Sequence, residues 1–112
     1  MDYTDLQVDV LSTAPLVVTV SGEIDIASSS KLREELLGAM RRHGARLALD
    51  LSGVTFMDCA GINALLAARR HARLEDGWVR VPRASRRARK VFMLTGLHQE
   101  FALAGPETAA AG

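Results

Sequence analysis

Polar and apolar residues alternate over Leu6-Gln7-Val8-Asp9-Val10-Leu11, the period of a strand with one buried face. A turn at Ser12-Thr13-Ala14-Pro15 leads to Leu16-Val17-Val18-Thr19-Val20, a β-branched run suited to a more central strand. The two are expected to pair as an antiparallel hairpin. Ser21-Gly22 breaks the run and leads into Glu23-Ile24-Asp25. The period then becomes helical: Leu32, Leu36, Ala39, Met40 and His43 fall on one face, and Arg33, Glu34, Glu35, Arg41 and Arg42 on the other. Serines 28 to 30 are placed to open this helix by capping an orphan backbone N–H, and Gly44 to end it. Arg46-Leu47-Ala48-Leu49-Asp50-Leu51 follows as a strand expected to be buried on both faces.

Residues 52–61 read as a loop feeding a second helix over about 58–74, whose inner ridge is Gly61, Leu65, Ala68 and Ala72, flanked by Ile62 and Leu66. Small residues on that ridge let the helix approach the sheet closely. Asp76-Gly77 turns the chain into a strand at 78–81, which ends before Pro82. A third helix is predicted over 85–95, with Ala88, Val91, Phe92 and Thr95 inward, Arg86, Arg87, Arg89 and Lys90 outward, and Gly96 as its cap. Residues 99–103 are expected to add a short last strand, and 104–112 to form a flexible tail beyond a domain spanning 1–103. The order ββαβαβα, with that optional final strand, predicts an α/β fold: a mixed four- to five-stranded sheet packed against three or more helices.

At 112 residues the chain supports one core. Its 14 Lys+Arg against 13 Asp+Glu give a net charge of +1, but the charges are segregated. Residues 1–58 hold nine acids and five bases; residues 59–112 hold four acids and nine bases. Such a separation can steer a protein partner, and neither half is charged enough to imply nucleic acid. The basic stretch 83–90 lacks interleaved aromatics and fits a solvated helix face. No apolar run approaches the roughly 20 residues of a membrane-spanning helix. The acidic start lacks the layout of a signal peptide. One cysteine, Cys59, excludes an internal disulfide and a multi-cysteine zinc site. A cytoplasmic location without membrane insertion is therefore expected.

Enzyme chemistry finds little support. His43, His71 and His98 have no ligand spacing, so no metal is expected, and neither phosphate-binding glycine motif is present, so no cofactor is expected. Cys59 sits where a loop enters a helix, a place that favours a thiolate. A cysteine phosphatase, however, needs an arginine a few residues on, and the sixth position after Cys59 is Leu65. Cys59 is thus expected to pack inward as a small thiol. What remains is a recognition surface. Glu23-Ile24-Asp25 precedes the first helix and Asp58-Cys59-Ala60-Gly61 opens the second; if the strands before them are neighbours, both loops share one sheet edge. Capping and partner contact are compatible roles for Asp25 and Asp58.

Four segments together resemble a STAS domain of the anti-sigma factor antagonist family: VVTVSGEID over 17–25, LDLSGVTFMDCAGINALL over 49–66, the strand at 78–81, and Leu94-Thr95-Gly96-Leu97. The second segment is the most specific. The resemblance implies a non-enzymatic domain that binds an anti-sigma factor of the serine-kinase type and frees a sigma factor. It further implies a partner surface of Glu23, Asp25, Asp58, Cys59, Ala60 and Gly61. In the family, phosphorylation of a Ser or Thr just before the glycine at the start of helix 2 turns binding off by adding about two negative charges. Here that position is Ala60, preceded by Cys59, and neither offers a hydroxyl. No phosphorylation is expected there, so the chain reads as an antagonist that is not switched off at this loop. The alternatives are a STAS-type accessory subunit of a transporter or larger signalling assembly and, from a third class, a thiol enzyme.

Overall fold

The computed structural model describes residues 6–103. Seven elements follow one another: β1 (Gln7–Thr13), β2 (Leu16–Ile24), α1 (Ser29–His43), β3 (Arg46–Met57), α2 (Cys59–Leu74), β4 (Trp78–Ala84) and α3 (Arg86–Thr95). The sheet has the order β1-β2-β3-β4, with β1 antiparallel to β2 and the other two pairings parallel. This is the expected mixed α/β arrangement with four strands and three helices. The expected tail, 104–112, lies outside the described residues.

One apolar cluster holds the layers together. Leu16, Val18 and Val20 of β2, Leu47, Leu49 and Leu51 of β3, and Val79 and Val81 of β4 meet Leu32, Leu36 and Met40 of α1 and Leu65, Ala68 and Ala72 of α2. Ala88 and Phe92 join from α3. The alternate strand positions Val17, Thr19, Ala48 and Asp50 are only half-buried, and Arg80 is exposed. β3 is therefore not buried on both faces, because the helices draw on one side of the sheet. His43, predicted inward, is exposed in the last turn of α1 beside Arg41 and Arg42. Thr95 is also exposed, and its hydroxyl donates to the Val91 carbonyl at 2.8 Å.

The strands run further than the pattern predicts. β2 continues to Ile24 and β3 to Met57, pairing Ser21 with Gly53, Gly22 with Val54 and Glu23 with Phe56. The apparent breakers Ser21-Gly22 and Ser52-Gly53 face each other across register shifts. Gly22 supplies a positive φ of 95° there. A Cβ on Gly53 would stand 2.8 Å from that of Ser21, so glycine keeps the two backbones close. β4 passes through Pro82 to Ala84 because it is an edge strand whose pairing shifts by one residue at that point.

No strand forms at 99–103. The chain coils instead, with the Phe101 amide donating to the Leu97 carbonyl, and drives the Phe101 ring edge-on against Phe92 at 5.4 Å between centroids. A single bond, Val81 N–H to the Phe101 carbonyl at 2.7 Å, joins this segment to the outer edge of β4. Burying an aromatic ring outweighs extending a ladder here.

Candidate functional site

β2 and β3 are parallel neighbours, so their C-terminal ends meet at one edge of the sheet. The Asp58 amide donates to the Ile24 carbonyl at 3.2 Å and ties the two loops together. Glu23, Asp25, Asp58, Cys59, Ala60 and Gly61 are thereby brought into one neighbourhood, although they do not all face outward. Glu23 and Cys59 are exposed, Asp25, Asp58 and Ala60 are half-buried, and Gly61 is buried.

The first loop is wired internally. Oδ1 of Asp25 accepts from the amides of Ala27 at 2.9 Å and Ser28 at 3.0 Å, with the Ser28 hydroxyl oxygen 3.2 Å away. Its carbonyl accepts the Ser29 amide at 2.8 Å. The residue predicted to cap α1 does something else: Ser28 makes no side-chain cap, and its hydroxyl accepts from the Asp25 amide and donates to the Glu23 carbonyl at 2.8 Å. Ser28 is 2 % exposed, a buried polar residue satisfied on every side by the end of β2. Asp25 thus caps the turn into α1.

The second loop is simpler. Asp58 is the N-cap of α2, and its Oδ1 accepts the Ala60 amide at 2.9 Å. Gly61 comes next and packs beneath: a Cβ there would lie 2.7 Å from Cγ2 of Ile24 and 3.1 Å from Cγ of Met57. Its smallness serves the close approach of α2 to the ends of β2 and β3. Cys59 is exposed, contrary to the inward thiol expected from sequence. The first residue of α2 projects off the sheet because the inner face is taken by Gly61, Ile62 and Leu65. Ala60 borders a shallow recess of about 120 Å³ between the starts of α1 and α2, lined also by Ser29, Ser30, Arg33 and Asn63.

Two apolar side chains escaped the sequence reading. Ile26, in the Asp25 turn, is 83 % exposed, and Phe56, paired with Glu23 at the end of β3, is 39 % exposed. Ile26 lies between strand and helix and belongs to neither period, which is itself the available signal. Among the described residues no group of three or more His, Cys, Asp or Glu side chains could hold a metal ion. No described helix is long and apolar enough to cross a membrane.

The edge is therefore suited to contact: two closely joined turns carry carboxylates, exposed apolar groups and a small, hydroxyl-free helix start. Comparison with known proteins bears out the fold. The family described as "Mlab, STAS domain" matches residues 9–105. The anti-sigma-B factor antagonist of Bacillus subtilis (strain 168) is 31% identical over 80 residues, covering 71% of this chain and 72% of the relative. An anti-sigma factor antagonist from Mycobacterium paratuberculosis superposes with a TM-score of 0.78 at 27% identity, covering 98% of this chain and 95% of the other. The unphosphorylated anti-sigma factor antagonist SpoIIAA has the same fold, with a TM-score of 0.71 at 22% identity over 94% of this chain and 92% of its own. The chain belongs to the STAS domain family, among its anti-sigma factor antagonists.

Proposed function

We infer that this protein is a non-enzymatic regulator that binds an anti-sigma factor of the serine-kinase type and frees the sigma factor it holds. The docking surface is the edge formed by Glu23, Asp25 and residues 58–61, with Ile26 and Phe56 as its apolar centre. One observation carries the reading: the Asp58–Ile24 bond joins the two loops, in which Ile26 and Cys59 are each exposed beside the partly exposed Phe56 at the end of β3. Asp58 orders the start of α2, and Gly61 fixes its height against the sheet.

The partner stays bound in the presence of ATP because Ala60 presents a methyl group where the family resemblance implies an acceptor hydroxyl. Phosphate there would bring about two negative charges onto a surface that already holds Glu23, Asp25 and Asp58. The test is a titration of the purified chain against the kinase-type anti-sigma factor of its own host, with and without ATP. Binding that ATP does not reverse, and no phosphate on residues 58–61 by mass spectrometry, is expected. Ala60→Ser should become labelled and ATP-releasable. Phosphate on the unaltered tetrapeptide, or undiminished binding by Ile26→Asp, would overturn the assignment.

A further inference from the structure

At the opposite end of the sheet, where β3 and β4 begin, a second recess of about 440 Å³ opens between the C-terminal half of α2, the start of β4 and the 97–103 segment. Arg69 and Arg73 reach it from α2 and Arg80 from β4, with Asp76, Glu100 and Trp78 also in its wall. The guanidinium carbon of Arg80 lies over the Trp78 ring, 4.1 Å from its centroid, a contact that favours this position before any ligand arrives. Among the described residues none of the three guanidinium groups is in an ion pair, although both carboxylates line the same recess. Complementing the negative end of α2 accounts for Arg73, but not for Arg80 on a strand.

The lining selects a ligand class by elimination. Asp76 and Glu100 repel a polyanion such as nucleic acid, and three arginines repel a metal ion. An apolar ligand gains nothing from five charged groups. A small molecule carrying both a phosphoryl group and hydroxyls satisfies all of them: guanidinium forks match phosphoryl oxygens, and carboxylates accept from hydroxyls. We propose that this recess binds a small hydroxyl-bearing phosphate monoester, with Arg69, Arg73 and Arg80 on the phosphoryl group and Asp76 and Glu100 on the hydroxyls. The site is separate from the loop edge and does not depend on the partner assigned above.

The probes are ribose 5-phosphate, inorganic phosphate and ribose, titrated at equal concentrations into the full ¹⁵N-labelled chain. Saturable shifts of the Gly77 and Val79 amides are expected with ribose 5-phosphate, about tenfold weaker binding with inorganic phosphate, and none with ribose. Arg73→Gln and Arg80→Gln, each with an otherwise native spectrum, should weaken the first by about tenfold. Equal affinity for ribose 5-phosphate and inorganic phosphate would mean an adventitious ion only and would overturn the site. So would the absence of saturation, or full affinity in the Arg73→Gln/Arg80→Gln double variant.

Discussion

Two helices leave neighbouring parallel strands through an aspartate, and their starts are built differently. At α1, Asp25 gathers two amide donors on one oxygen while the buried Ser28 hydroxyl locks the turn to the end of β2. At α2, Asp58 accepts a single amide, and the residue after it is exposed. The α1 start is a fixed frame and the α2 start a lightly held presenting loop. An aspartate before a helix therefore has no single meaning; its role is read from how many donors converge on it.

Substitutions can break or sharpen that contrast. Gly61→Val should be the most damaging, since its branches meet Ile24 and Met57 beneath the two loops; about 3 kcal/mol of overpacking is expected in chemical denaturation. Ser28→Ala leaves the Asp25 amide and Glu23 carbonyl without their shared partner and should cost about 2 kcal/mol. Asp58→Ala removes one capping bond, for about 1 kcal/mol. If Asp58→Ala proves costlier than Ser28→Ala, the contrast between frame and presenting loop fails. Cys59→Ser, at an exposed first helical position, should stay within about 0.5 kcal/mol of the parent, whereas a larger loss would place the thiol in the core after all.

Much of this architecture was legible from residue order. The hairpin, the helical periods of α1 and α2, the Gly61 ridge and the Asp58 cap all follow from spacing, because each is a local pattern repeated over several residues. What escaped were features fixed by partners distant in sequence. Ser52-Gly53 reads as a break until Ser21-Gly22 is set opposite it, where the bulges accommodate both. Ser28 looks like a helix cap because serine usually is one; only the fold places it over the Glu23 carbonyl. Phe101 sits in a stretch that alternates like a strand, yet the nearby Phe92 ring offers it a better contact than β4's edge does. At the loop edge, Asp25 and Asp58 were visible as acids before helices, while Ile26 and Phe56 gave no periodic signal.

That displaced phenylalanine has a consequence for how copies of the molecule can meet. Its carbonyl occupies the Val81 amide, so the outer row of donors on β4 is interrupted partway along. On the far margin β1 carries its own irregularity between Val10 and Ser12. The interrupted donors on β4 and the irregular β1 both work against side-by-side stacking of sheets into fibres.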